Sequence, residues 1–294
     1  MLNKKYKIKP LDIILVLLFA AAGIYIIYRV KAELHYHWNW AAIPQYLLRY
    51  DTEAEKWVPN LLLQGLFTTI RLSLWGTVLA TIIGTIMGLS RVSRGLFNRL
   101  MGRTYVELIR NIPPLVLIFI FYFFIGDQIM AYLGVDDFIK SSTEGTRALI
   151  SVLFAPPPLF SAFLSALVTL ALFEGAYIAE IVRAGIQSIE KGQWEASFAL
   201  GLSRRQQMRH IILPQAIRRI LPPMAGQFIS TVKDSAIVSV ISIQELTFQG
   251  MELMSATYLT FEIWITITAL YLLLTLPLSL GVERLEIYMR RSEV

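Results

Sequence analysis

The chain has 294 residues, of which 55% are hydrophobic and only 16% charged, and its net charge is +6. Soluble domains carry about 25% charged residues, so much of this chain faces something other than water. Composition therefore excludes an ordinary soluble enzyme, a disordered chain and a disulfide scaffold. No cysteine is present, which removes disulfides, thiolate nucleophiles and zinc–thiolate sites.

A hydrocarbon core about 30 Å thick calls for roughly 20 apolar residues per helix. The first such run is Leu11–Tyr28, broken only by Asp12. It is followed by Arg29, Lys31 and Glu33 and not by a small-x-small cleavage site, so it reads as an uncleaved anchor rather than a signal peptide. Five more runs follow, at Leu62–Leu89, Val106–Met130, Phe160–Ile186, Leu221–Ile243 and Ala256–Val282. The middle three contain Arg110, Glu174, Glu180, Arg183, Lys233 and Asp234, with the pairs Pro113-Pro114 and Pro222-Pro223. Such helices persist in membranes where neighbours or a wet cavity satisfy the freed backbone groups. The run Ala155-Pro156-Pro157-Pro158 is a stiff lead-in to the fourth span.

Lysine and arginine orient the bundle. They crowd the N-terminal tail (Lys4, Lys5, Lys7, Lys9), the loop after the second span (Arg91, Arg94, Arg99, Arg103), the long loop after the fourth (Lys191, Arg204, Arg205, Arg209, Arg218, Arg219) and the C-terminal tail (Arg284, Arg290, Arg291). The alternate loops are poorer in them and acidic, with Glu33, Asp51, Glu53, Glu55, Asp136, Asp137, Glu144, Glu245 and Glu252. This alternation requires six transmembrane helices with both termini in the cytoplasm, an all-α polytopic membrane protein. Trp38, Trp40 and Trp57 in the first outer loop suit an interfacial aromatic belt. The positive charge is thus a topology signal, and nucleic acid is not a partner. The chain divides into an anchor and outer linker, residues 1–60, and a membrane domain, residues 61–294.

The most informative segment is the cytoplasmic loop Gln187–Pro223, whose coupling part spans residues 187–215. Two helical pieces flank the turn Gly201-Leu202-Ser203. Trp194, Phe198 and Leu202 recur at four-residue spacing, an apolar stripe. Ser203 is placed to cap the second piece, with Gln206 completing a capping box, and Pro214 ends or kinks that piece. Pattern alone leaves two readings open: a hairpin that presses into a groove on a soluble partner, or a helix lying on anionic headgroups.

The residues decide between them. Glu195-Ala196-Ser197, Gly201 and Ile212-Leu213-Pro214 closely resemble the EAA motif of ATP-binding cassette (ABC) importer permeases, with Ser197 for the second alanine. Further stretches look like the polar amino acid uptake subfamily: Thr68-Thr69-Ile70-Arg71-Leu72-Ser73, Tyr105-Val106-Glu107-Leu108-Ile109-Arg110-Asn111-Ile112-Pro113-Pro114, Ala176-Tyr177-Ile178-Ala179-Glu180-Ile181-Val182-Arg183, Gly192-Gln193-Trp194, Leu213-Pro214-Gln215-Ala216 and Val232-Lys233-Asp234-Ser235. The resemblance covers about residues 62–285 and departs at Ser235-Ala236-Ile237 and in the extra first span.

The resemblance implies a five-helix type I permease core plus one N-terminal helix, in the bacterial cytoplasmic (inner) membrane. It implies an extracytoplasmic amino-acid-binding protein, a second permease subunit (a sister chain or a copy, the extra anchor favouring a heterodimer) and ATPase subunits as partners. The loop becomes the coupling helix, with Glu195, Ala196, Gly201, Leu202 and Pro214 at the ATPase contact. Glu195 would cap it or pair with a basic group in the ATPase groove. No cofactor is implied. Glycine is never followed by lysine in the chain, so no Gly-x-x-x-x-Gly-Lys phosphate loop exists and ATP hydrolysis falls to a partner chain.

Ionisable residues inside a membrane mark function by default, since placing one in lipid costs about 2.5–3.5 kcal/mol or more. Phe173, Tyr177 and Glu180 share one face of the fourth span. That face suits a zwitterion whose ammonium the carboxylate holds; the alternative is a self-neutralising Glu180–Arg183 pair. Glu174 lies on a neighbouring face. Arg110 either holds a substrate carboxylate or snorkels to the cytoplasmic surface, and Asn111 beside it is the better path-lining candidate. The fifth span carries Gln227, Ser230, Thr231, Lys233, Asp234 and Ser235, too polar for lipid. Lys233 and Asp234 point about 100° apart and need separate partners; they line the path or lock spans together. His35 and His37 read as interfacial side chains and not as metal ligands. Neither a gradient-driven carrier, with its inverted repeat, nor a membrane-embedded enzyme needs the Glu195–Gly201–Pro214 loop.

Overall fold

A computed structural model describes residues 10–33, 36–53 and 55–291; Lys4, Lys5, Lys7, Lys9 and His35 lie outside them. The helices are α1 Pro10–Glu33, α2 Ile43–Leu47, α3 Leu61–Arg91, α4 Leu96–Asn111, α5 Pro114–Phe119, α6 Asp127–Tyr132, α7 Val135–Ser141, α8 Glu144–Leu153, α9 Phe160–Gln187, α10 Lys191–Ala199, α11 Arg204–Gln206, α12 Leu213–Asp234, α13 Leu246–Thr257 and α14 Thr260–Arg291. The strands β1 Leu48–Asp51 and β2 Lys56–Pro59 form one antiparallel hairpin. Contacts divide the chain into two units, Met1–Trp40 and Ala41–Val294.

In the first unit, α1 exposes Leu11, Ile13, Val16, Phe19 and Ile24 alike, an apolar surface on every face. A helix apolar all round suits lipid. Trp38 stacks on Trp40, with ring centroids 5.9 Å apart.

In the second unit, α3 and α9 form the spine. Gly76, Ala80, Gly84 and Gly88 recur every fourth residue of α3 and are all buried. A Cβ on Gly84 would lie 2.6 Å from Ile178 Cβ and 2.8 Å from the Gly175 carbonyl oxygen. Only hydrogen fits there, so the two backbones touch, the small-residue contact that membrane helices favour. Ile178, Val182 and Ile186 of α9 then pack on Ile212, Ala216 and Ile220 at the start of α12. Nearer the other end, Phe163, Leu167 and Leu170 meet Leu72, Ile118, Val238 and Ile241. Within the segment read above as linker, Ile43 is buried with Leu62, Leu66 and Leu246, and the Asn60 amide donates to the Gln45 carbonyl at 2.6 Å.

Four helices among the described residues are long and apolar enough to cross a membrane: Leu61–Arg91, Pro114–Tyr132, Pro157–Gln187 and Thr260–Met289. The expected third span, Val106–Met130, is therefore corrected. Ile112 is extended (φ −99°, ψ 139°), because the residue before a proline is driven out of the helical region. Val106–Asn111 belong to the amphipathic α4, and the apolar span starts at Pro114. The expected fifth span, Leu221–Ile243, is the continuous α12 followed by a 3-10 segment, Ser235–Ile241; its polar residues keep it out of that set. Pro214 likewise does not end its helix. It sits in the first turn of α12, and a π segment, Gln207–Ile212, runs straight into it. The wider π turn lets the Leu213 N–H reach the Met208 carbonyl, five residues back.

Candidate functional site

The path residues expected from sequence gather in two clusters on α9, whose carboxylates, Glu174 and Glu180, lie about 9 Å apart along the helix at 1.5 Å per residue. In the first, Glu174 is fully buried. The Gln227 amide of α12 donates to its Oε2 at 2.7 Å, while its Oε1 has no donor. The Asp234 carboxyl and Thr231 hydroxyl, also from α12, face the same group. Two carboxyls side by side leave the pocket short of positive charge. Lys233, adjacent to Asp234, is exposed, and its charge acts on Asp234 alone from outside the pocket.

In the second cluster, Phe173 and Tyr177 meet edge to face, centroids 5.3 Å apart. The Arg110 guanidinium lies 5.5 Å above the Tyr177 ring, a cation–π contact, and its Nη1 is 4.0 Å from Glu180 Oε2. Glu180 also pairs with Arg91 at the end of α3, and Arg183 Nε donates to its Oε1 at 3.0 Å. The Glu180–Arg183 pair set out above as the alternative is therefore present, and three guanidiniums surround one carboxylate. Arg91 had been read only as a topology charge; nothing in its spacing linked it to a residue 89 positions on. Asn111 stands apart from both clusters, where its amide donates to the Glu107 carbonyl at 2.8 Å and carboxylate at 3.1 Å.

The loop between α9 and α12 is the third place of interest. Helix α10 ends in a Schellman turn: the Leu202 N–H reaches the Ser197 carbonyl at 3.3 Å and the Gly201 N–H the Phe198 carbonyl at 2.9 Å. Gly201 takes φ +73°, and open space surrounds the site of its missing Cβ, so backbone conformation and not crowding within this chain selects glycine. The expected capping box forms, Gln206 Oε1 accepting from the Ser203 N–H at 2.9 Å. The Trp194–Phe198–Leu202 stripe splits: Trp194 packs inward under Arg204, 4.2 Å from its ring centroid, while Phe198 is 75% exposed and Leu200 78%. Glu195 and Ala196 are exposed on the same helix. Burial and the neighbouring Arg94 lower the Arg204 pKa from its ordinary value. Gln215 donates to Gln193 at 3.2 Å, and Arg219 donates to the Ser188 carbonyl, so the loop is pinned to α12. Among the described residues no group of three or more His, Asp or Glu is placed to hold a metal ion.

Residues 60–291 match the family described as binding-protein-dependent transport system inner membrane component. The chain is 34% identical over 233 residues to the probable glutamine ABC transporter permease protein GlnM of Bacillus subtilis (strain 168), covering 79% of this chain and 95% of that one. It is 35% identical over 228 residues to the glutamine transport system permease protein GlnP of Escherichia coli (strain K12), covering 77% and 91%. A crystal structure of an amino acid ABC transporter with histidines superposes with a TM-score of 0.64 at 30% identity, covering 87% of this chain and 100% of that one.

Proposed function

Because the chain belongs to the family of binding-protein-dependent transport system inner membrane components, we propose that it is the permease subunit of an ATP-driven amino acid importer. The chain spans the membrane six times with both ends in the cytoplasm; α1 is the added span, and residues 61–294 form the permease domain. A soluble binding protein delivers the amino acid from outside, a second permease subunit completes the path, and separate ATPase subunits bind the α10–α12 loop. Glu174, Gln227 and Asp234 meet the substrate ammonium, and the exposed Lys233 lines the path beyond them, where its own ammonium suits the substrate carboxylate. Phe173, Tyr177 and Arg110 meet its carboxylate, with Glu180 drawing Arg91, Arg110 and Arg183 together. Asn111 lines the approach.

The observation that carries this reading is the α10 turn. Glu195, Ala196, Phe198 and Leu200 are exposed around a glycine held at φ +73°. Large exposed apolar side chains beside a turn of fixed conformation suit a protein contact, with Leu202 and the exposed Pro214 beside it. Nucleotide-driven closure of the ATPases would push this hairpin, and through Gln215 and Arg219 turn α12 against α9. The test is affinity co-purification of the tagged chain from its membrane in mild detergent. Recovery of an ATP-binding cassette subunit that is lost on Phe198→Ser and Leu200→Ser supports the reading; a chain that purifies alone in good yield contradicts it.

A further inference from the structure

At the end of the bundle where α3 begins, which faces outward under the importer reading, a cavity of about 530 Å3 opens between hairpin β1–β2, α3 and the start of α13. This is within the roughly 300–1,000 Å3 range of small-molecule sites. Its polar walls are Arg49 and Asp51 from β1, Gln64 and Arg71 from α3, and Gln244 and Gln249 beyond the 3-10 segment. Neither arginine has a carboxylate partner among the described residues. Arg71 makes a single 3.4 Å bond, from Nη1 to the Phe154 carbonyl, and leaves most of its donors to the cavity. Gln249 is 6% exposed, yet its side-chain amide has no protein partner among the described residues. Its amide opens onto the cavity, where a ligand can meet it.

We infer that this cavity is an outer loading site that holds the free amino acid by its carboxylate before it enters the path. The guanidinium of Arg71 takes the carboxylate in its bidentate geometry. Asp51 stands on the opposite wall for the ammonium, and the three glutamines present an uncharged rim to a polar side chain. Arg49, exposed at the mouth, draws the anion in. The cavity is separate from the Glu174 and Glu180 clusters, neither of which contributes to its lining.

The inference rests on the importer reading, and the test keeps the two apart. The complex of this chain with its permease and ATPase partners is placed in lipid nanodiscs without the soluble binding protein. Binding of tritiated L-glutamine and L-glutamate is titrated, and ATP-driven uptake by the wild type is measured in proteoliposomes with the binding protein added. Arg71→Gln should weaken one class of binding sites about ten- to a hundred-fold, as expected for a lost charged hydrogen-bond pair. Gln249→Leu should weaken it several-fold and Arg49→Gln less; both also serve should Arg71→Gln not assemble. Wild-type uptake with binding unchanged in all three variants overturns the loading site and leaves the importer reading standing. Unchanged binding with lost stimulation by the binding protein means that the cavity receives that protein instead, and equally overturns it. Absence of binding to the wild-type complex also overturns it, whereas absence of uptake counts against the importer reading.

Discussion

Glu245 sits in an outer loop whose acidic residues read as surface charge, yet it is fully buried. It caps α13 through the Phe248 N–H at 2.7 Å and the Thr247 N–H at 2.9 Å, and receives the Tyr271 hydroxyl of α14 at 3.0 Å and the Thr69 hydroxyl of α3 at 3.4 Å. One carboxyl thus joins three helices. Glu245→Ala strands those donors and removes a cap, so thermal unfolding in detergent should show a loss of about 2–4 kcal/mol. Burial raises its pKa from the ordinary 4.5 to about 7, against the lowering effect of those hydrogen bonds. Between those values the folded protein holds the proton and the unfolded chain does not. The contribution is full below the unfolded pKa and is lost as pH rises through the folded one. Unfolding temperature should therefore fall from about pH 5 to about pH 8, and this part of the slope should vanish in Glu245→Gln. Nothing in the sequence separated Glu245 from Glu252, because burial depends on α3 and α14, nearly two hundred residues away in one case and about two dozen in the other.

Among the elements, the α3–α9 contact and the α10 turn make opposite demands on glycine. Gly84→Ala drives a methyl into the α9 backbone and should cost about 1–3 kcal/mol. Gly145→Ala in α8, where nothing lies within 4 Å, should be neutral or slightly stabilising in the same melting experiment. At Gly201 the demand is conformational. Asparagine tolerates φ > 0 and valine does not, so Gly201→Asn should keep the ATPase bound while Gly201→Val releases it. Loss in both would show instead that the partner packs directly on the glycine. Spans 2, 4 and 6 were legible because long apolar runs state their own length. The Gly201–Ser203 turn and the Ser203–Gln206 box were legible because their chemistry is local. The start of the third span was misplaced because hydropathy does not register the break at Ile112, whereas the polar load of α12 was legible from Gln227, Lys233 and Asp234. The spacing of Gly76, Ala80, Gly84 and Gly88 was in plain view, and pointed to a close helix contact that a reading by hydropathy alone passes over.

For the whole molecule, the pieces make one machine. An exposed hairpin is tied by Gln215 and Arg219 to α12, α12 carries Gln227 and Asp234 to Glu174 of α9, and α9 is locked to α3. These contacts make a continuous helical connection from α10 to the buried carboxyls. Of the candidate site, the sequence placed Phe173, Tyr177 and Glu180 on one face, as found, but the arginines that neutralise Glu180 come from α3 and α4 as well as α9, a convergence only the fold makes. The most direct measurement is uptake of labelled amino acid into proteoliposomes holding the chain with its ATPase, its permease partner and the binding protein. Uptake should require ATP inside the compartment bearing the ATPase and persist when ionophores collapse all ion gradients. Uptake without ATP that disappears with the ionophores would contradict an ATP-driven importer.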